Sequence, residues 1–335
     1  MTFEDGIHAV ANFGFTERQA RFLVTVMLQA GVCLPRQYAA FAGIVHGQKT
    51  RTFFAKLVNH RYASAYPCRH NRGCIYQVHH KPLYRAIGQT DSRHRRPLSP
   101  ARVVRGLMLL DAVLADPALV WLATDQDKAV GLTKLPSIDP DRPHLRIGTP
   151  SDTPRIVAEK FPIGIDPDGR MVLLYLATDS EDGPCRAFVQ RHIELLRSVP
   201  AWTVRIAVPP WPQGLAELYA KTVTEELTAT LRPALLNQLR GRFDERRKVA
   251  ESGWEPPNPE DFDQAEQAFK TPRLQRLYRR WLTHGDRVFD HAVKGLNHAL
   301  DSGSGRVETL VLPHQYRHLS PMVNSTTRRP KGPRR

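Results

Sequence analysis

The segment Gly47-Gln-Lys-Thr-Arg-Thr-Phe-Phe-Ala-Lys-Leu-Val-Asn59 has the pattern of an amphipathic helix with a basic and polar outer side. Four apolar residues recur at helical spacing and are expected to face a core: Phe53, Phe54, Leu57 and Val58. The opposite side carries polar residues at positions i, i+3, i+7 and i+10: Lys49, Thr52, Lys56 and Asn59. A solvated surface helix has the same pattern, so the neighbouring sequence decides between that role and DNA recognition.

Two shorter helices are predicted before this one. Thr16-Glu-Arg-Gln19 has the capping-box pattern that begins a helix, and Gly31 is a typical helix terminator. Pro35 suits the first turn of a second helix, which we expect to end at Gly43. Residues 16–87 therefore begin with three short helices, of which the third is basic.

A predicted hairpin follows the three helices. Residues 62–66 and 75–78 are typical of two strands, and Asn71-Arg72-Gly73 between them is turn-forming. Three helices and a hairpin with a basic loop are the arrangement of a winged helix, in which the third helix enters a DNA groove and the loop contacts the DNA beside it. We therefore predict DNA-binding residues on the helix and on the loop: Gln48, Lys49, Arg51, Thr52, Lys56, Asn59, Arg69 and Arg72.

The distribution of charge favours a polyanionic partner for the N-terminal segment. The 335 residues include 48 Lys and Arg and 33 Asp and Glu, which gives a formal net charge of +15. Residues 1–100 carry +10 and residues 317–335 carry +6, so the middle of the chain is close to neutral. Basic side chains neutralise phosphates, while Arg, Asn and Thr also hydrogen-bond to base edges. Double-stranded DNA is the predicted partner.

Cysteine content and hydropathy exclude two classes of protein. Four cysteines are too few for the disulfide framework of a secreted chain of this length: Cys33, Cys68, Cys74 and Cys185. The sequence has no apolar run of about 18 residues and no signal-peptide core, so we expect no membrane segment. The predicted location is the cytoplasm.

Composition divides the chain into five predicted segments. Residues 1–89 form a winged-helix domain, and residues 90–98 form a polar, arginine-rich linker. Residues 99–212 form an α/β domain, residues 213–324 form a mostly helical region, and residues 325–335 form a disordered basic tail. The predicted fold class therefore combines α+β and α/β structure.

The middle domain is predicted to contain a buried sheet. Met171-Val-Leu-Leu-Tyr-Leu-Ala177 is an uninterrupted apolar run, which is typical of a strand buried on both faces. Residues 161–165 form a preceding strand, joined to it by the turn Asp166-Pro-Asp-Gly169. A helix over residues 184–198 and a strand over residues 203–208 then predict a crossover connection and a parallel strand pair.

This layout over residues 16–210 resembles the replication-relaxation family of mobile-element proteins. The resemblance implies a winged helix joined to a domain similar to restriction endonucleases. Members with nuclease activity place acidic residues at the end of the first strand and in the second strand to bind a divalent metal. Here those positions hold the apolar segments Phe161-Pro-Ile-Gly164 and Leu174-Tyr-Leu-Ala177. We therefore expect a nuclease-like scaffold that is not an enzyme and that uses no metal or other cofactor.

Three functional hypotheses follow. The preferred one is a sequence-specific DNA-binding protein of a bacterial mobile element or plasmid, acting in transcription control, replication or mobilisation. The alternative is a metal-dependent DNA nuclease that uses Asp166, Asp168 or Asp179. The third is an interaction module, in which the helices of residues 213–300 form a homodimer and the winged helix binds another protein.

A group of potential metal ligands lies in the predicted hairpin: Cys68, His70, Cys74 and His79. A zinc ion bound by these side chains would close the hairpin loop. Their spacing departs from the usual C-x2-C pairing, however, and the alternative is that Cys74 packs inward while the histidines are solvated. We expect no metal at this position.

Overall fold

The computed structural model describes residues 1–68, 73–97, 99–133, 146–147, 155–156, 161–178, 180–255, 258–292 and 295–316. Several residues named above lie outside this description: Arg69, His70, Arg72, Asp179 and the tail 325–335. The described chain contains helices and mixed sheets, so its fold class is α+β. None of the helices described is long and apolar enough to cross a membrane.

Two compact units make up the described chain. Unit 1 contains residues 1–127, residues 207–213 and the segment that starts at residue 310. Unit 2 contains residues 128–206 and residues 214–309.

Unit 1 begins with eight elements: α1 (Phe3–Ala11), α2 (Glu17–Gln29), β1 (Val32–Cys33), α3 (Pro35–Ala42), α4 (Gln48–Asn59), β2 (Ala63–Pro67), β3 (Cys74–Val78) and α5 (Lys81–Ala86). The predicted capping box begins α2, because the Thr16 hydroxyl accepts from the Gln19 amide and the Gln19 side chain accepts from the Thr16 amide. Gly43 ends α3 in the left-handed region, at a φ of 63°.

A three-stranded antiparallel sheet follows the order β1-β3-β2. Gln77 of β3 lies opposite Val32 of β1 and opposite Ser64 of β2. The hairpin β2–β3 was expected from the sequence, whereas β1 was not. Two residues are too short for a recognisable alternating pattern, so β1 forms only because β3 offers it an edge.

An aromatic cluster forms the core beneath α4. Phe53 lies 4.3 Å from Tyr38 and 5.0 Å from Phe54, as measured between ring centroids, and Phe54 lies 4.3 Å from Tyr76. The predicted core position of Val58 is wrong, because its side chain is 38% exposed. Successive helical residues are rotated by about 100°, so the stripe that contains Phe53 and Phe54 includes Thr50 and leaves Val58 at its margin.

Helix α6 (Pro100–Ala115) packs against β1, α2 and α3, and β4 (Val120–Leu122) follows it. The sequence predicts this helix at the start of the middle domain, whereas it belongs to unit 1 in the structure. Gly106 makes the close approach to β1 feasible, since a Cβ atom there would lie 2.9 Å from the Val32 side chain. The preceding linker is also packed, because Gln77 Nε2 donates to the Arg96 carbonyl at 2.7 Å.

Unit 2 contains most of the remaining elements. Helix α7 begins in unit 1, and the last two strands extend into unit 1. These elements are α7 (Asp125–Thr133), β5 (Arg146–Ile147), β6 (Arg155–Ile156), β7 (Ile163–Ile165), β8 (Met171–Leu176), α8 (Gly183–Ser198), β9 (Trp202–Val208), α9 (Leu215–Thr228), α10 (Pro233–Ser252), α11 (Pro259–Ala268), α12 (Pro272–His284), α13 (Arg287–Ala292), α14 (Asn297–Asp301) and β10 (Gly305–Val311). Strands β10, β9, β8 and β7 are neighbours in that order. Strands β7 and β8 are antiparallel, with Ile163 opposite Leu173. Every residue of β8 is buried, which confirms the strand expected from its apolar run.

The helices between β9 and β10 have a core of their own. Its buried members are Phe243, Phe269, Leu277, Trp281, Val288 and Phe289. Arginine side chains cover this core. The guanidinium of Arg246 lies 4.9 Å from the Tyr278 ring centroid, and that of Arg247 lies 5.0 Å from the Trp281 ring centroid. Such stacking lets the guanidinium groups pack on the aromatic cluster.

Candidate nucleic-acid interface

The candidate interface is the exposed face of α4. Residues at positions i, i+4, i+7 and i+11 form its centre, and all four are exposed: Gln48, Thr52, Ala55 and Asn59. Lys49 flanks this centre on one side and Arg51 on the other, and both are exposed. The sequence predicts a polar stripe through Lys49 and Lys56. The exposed centre is rotated from that stripe toward Gln48 and includes Ala55, which was not among the predicted contact residues.

Lys56 has a different environment from the other predicted contact residues. Its amine donates to the Gly14 carbonyl and lies 4.7 Å from the centroid of the Phe15 ring. Both partners belong to the connection between α1 and α2. Lys56 therefore ties α4 to this connection, and its predicted contact with a phosphate remains a prediction.

A groove of about 940 Å³ borders the first turns of α4. Arg18 and Lys49 both line it, together with Thr52. Arg18 is oriented by the carbonyl of Ala42, to which its Nη1 donates at 3.1 Å. Arg18 was not predicted from the sequence, because the pattern of α2 shows its apolar face most clearly, although the arginine is visible within the capping box Thr16-Glu-Arg-Gln19.

The connection between α3 and α4 presents an apolar side chain to solvent. Val45 is 90% exposed and precedes the N-cap residue Gly47 by two positions. Gly47 supplies no side-chain cap to the first turn of α4. Backbone N–H groups at such a helix start are suitable donors to a phosphate oxygen. Val45 can be recognised in the sequence because it lies in the short turn between Gly43, which ends α3, and Gly47, which precedes α4.

The hairpin loop between β2 and β3 contains the other two predicted contact residues, Arg69 and Arg72, which lie outside the described residues. The last strand pair before the loop joins Pro67 and Cys74. The position of these arginines relative to α4 therefore remains a prediction.

Within the described residues, no group of three or more His, Cys, Asp or Glu side chains is placed to hold a metal ion. His79 Nε2 lies 2.9 Å from the Ser64 hydroxyl, so it already has a hydrogen-bond partner. Of the two hairpin cysteines, Cys68 is buried and Cys74 is half-buried, which reverses the expected inward position of Cys74. Burial, followed by the neighbouring Cys74 thiol, raises the pKa of Cys68 and favours the protonated thiol.

The positions expected to carry catalytic acids in a nuclease are apolar and buried in unit 2. Ile163 and Leu174 are each fully buried in the antiparallel pair β7–β8. Asp166 has a structural role, because its Oδ1 accepts from the amides of Asp168 at 3.0 Å and Arg170 at 2.8 Å. These bonds close the turn between the strands.

Comparison with known proteins adds no relative: no protein-family model, no curated protein and no solved structure matches this chain.

Proposed function

We propose that this protein binds double-stranded DNA through a winged helix in unit 1, with α4 as the recognition helix in the major groove. The observation that carries the proposal is the exposed face of α4, which combines side-chain amides with flanking cations and has no acidic residue. The element order helix–strand–helix–helix–strand–strand from α2 to β3, and the sheet order β1-β3-β2, support the winged-helix interpretation.

The side chains on this face suit two kinds of DNA contact, with base edges and with phosphates. Gln48 and Asn59 can each make a bidentate contact with adenine, and Arg51 can make one with guanine. Ala55 between them has no bulk that would hold the helix away from the base edges, and its methyl group suits contact with a thymine methyl. Lys49 and Arg18 lie beside the groove at the start of α4, where phosphate contacts would set the orientation of the helix.

The charge of the chain supports the same partner. The first 100 residues carry a net charge of +10, which would release counterions from DNA on binding. A sequence-specific protein of this kind would act in the cytoplasm of a bacterium, on the transcription, replication or mobilisation of a plasmid or other mobile element. The apolar sheet positions of unit 2 favour this role over DNA hydrolysis.

The test begins with selection of bound sequences from a pool of random duplexes by the full-length protein. We expect one preferred motif, and Arg51→Ala should weaken binding to it by roughly 1–3 kcal/mol and relax the preference at one base position. Lys221→Ala is the matched control, since its side chain on α9 is 77% exposed and it removes the same charge from unit 2. Failure to enrich any motif, or unchanged binding by folded Arg51→Ala, contradicts the proposal.

A further inference from the structure

Unit 2 contains a small cleft between α8 and α12, here called the arginine cleft, with a volume of about 40 Å³. Four arginines line it: Arg197, Arg273, Arg276 and Arg280. Glu194 is the only carboxylate among the described residues of its lining. The positive charges therefore outnumber the negative charges four to one in a partly enclosed space.

Glu194 accepts hydrogen bonds from two of these arginines. Its Oε1 accepts from Arg197 Nη1 at 2.8 Å and from Arg280 Nη1 at 2.6 Å. A third arginine, Arg273, donates through Nη2 to the Ala229 carbonyl at 2.8 Å. These bonds orient three guanidinium groups around the cleft.

Arg276 lies between Arg273 and Arg280 on the same face of α12, at spacings of three and four residues. Its Nε is buried and has no hydrogen-bond partner among the described residues. Burial, followed by the charge of Arg280, lowers the pKa of Arg276 to about 10. A buried donor of this kind is costly unless a partner satisfies it, and an ion is one such partner.

We propose that the arginine cleft binds one phosphoryl group. Planar guanidinium groups bind tetrahedral oxyanions through paired N–H donors, and several around one cleft are typical of phosphate recognition. One water molecule occupies about 10–15 Å³ of cavity volume on this measure. The cleft of about 40 Å³ therefore has room for one small anion but not for a nucleobase or a sugar. The phosphoryl group comes either from a free phosphate ester or from the terminal phosphate of a nucleic acid strand.

The experiment measures thermal unfolding of the full-length protein in phosphate and in chloride at equal ionic strength and pH. Phosphate should raise the melting temperature in a saturable manner. Arg276→Gln should lose this increase, whereas Arg279→Gln, which removes an exposed arginine from the same helix, should retain it. In chloride, Arg276→Gln should melt at the parent temperature or above it, because it removes one of several neighbouring positive charges.

Two further pairs of ligands distinguish the source of the phosphoryl group. Adenosine monophosphate is compared with adenosine, and a single-stranded hexanucleotide with a 5′-phosphate is compared with the same strand without it. Calorimetric binding of the monophosphate assigns the cleft to free esters, and binding of the phosphorylated strand alone assigns it to strand ends. In either case Arg276→Gln should weaken binding at least tenfold.

Two outcomes overturn the proposal. One is an equal increase in melting temperature by phosphate for the parent and for Arg276→Gln, because a general stabilising effect of the salt would then explain the increase. The other is a loss of stability in Arg276→Gln that is the same with and without phosphate, which assigns the arginine a structural role. Neither outcome bears on DNA binding by α4, because that proposal depends on residues of unit 1.

Discussion

Tyr316 and Asp111 are 205 residues apart in the chain, and the tyrosine hydroxyl donates a hydrogen bond to Asp111 Oδ2. Arg36 completes the contact, because its two terminal nitrogens donate to the same carboxylate at 3.0 and 2.7 Å. Its guanidinium also lies 5.7 Å from the centroid of the Tyr316 ring. Within unit 1, this group attaches the segment after β10 to α3 and α6.

We predict that Tyr316→Phe destabilises unit 1 by roughly 1.5–3 kcal/mol, because it removes a hydrogen bond to a buried carboxylate. The side chain is 2% exposed, so water cannot replace the lost donor. Urea unfolding measures the change. Tyr66→Phe is the control, since that half-buried hydroxyl makes only a long bond of 3.5 Å to Gln77. Equal losses in the two variants would show that Tyr316 has no special role.

A pair of substitutions on α4 tests which side of the helix is the core side. Phe53 is 1% exposed, and Phe53→Ala should cost about 3–5 kcal/mol through the cavity that it leaves. Val58 is 38% exposed, and Val58→Ala should change the free energy of unfolding by no more than about 0.5 kcal/mol. Thermal unfolding followed by circular dichroism compares them. A large loss of unfolding free energy in Val58→Ala would instead support the core position that the sequence predicts for Val58.

The two lysines of α4 should behave differently in DNA-binding assays. Lys49 is exposed, so Lys49→Ala should reduce the slope of log affinity against log salt concentration by about one unit. Lys56→Ala should leave that slope unchanged. It should instead lower stability by about 0.5–1.5 kcal/mol, because the hydrogen bond to Gly14 is lost. Binding is measured at several salt concentrations, and a reduced slope for Lys56→Ala would contradict the assignment.

Unit 2 should lose stability in acid through His192. Burial is the main cause that lowers the pKa of this histidine to about 4, so the folded state keeps it neutral while an unfolded chain protonates it below about 6.5. The unfolded state therefore binds more protons between pH 6.5 and pH 4, and stability falls as the pH decreases through this window. The full effect of one such histidine is about 3 kcal/mol.

His192→Phe removes this proton uptake and should reduce the difference in melting temperature between pH 7.5 and pH 5. The aromatic replacement suits the site, because the imidazole packs against Phe161 and Phe188. His298→Phe serves as the control, since that side chain is exposed. Both variants must fold at pH 7.5 for the comparison. An unaltered pH dependence in His192→Phe would assign the acid sensitivity to other groups.

The sequence by itself determined the features of this protein that depend on residues close together in the chain. The capping box of Thr16 and Gln19, the strand in residues 171–177 and the amphipathic character of α4 were all predictable, because each is a local pattern of side chains. The same reasoning placed Val58 in the core, since helical spacing alone does not define the margin of a buried stripe. Only the packed aromatic neighbours set that margin.

The tertiary structure decided which distant segments meet. Strand β1 exists because β3 provides an edge, and α6 joins unit 1 because Gly106 allows it to approach β1. Lys56 becomes a structural contact through a partner 42 residues away, and Arg197 and Arg280 share Glu194 from two separate helices. Apolar periodicity in a sequence indicates that one face of an element is buried, but it does not show which other element covers that face. Contacts between distant segments depend on that pairing, so only the tertiary structure decides them.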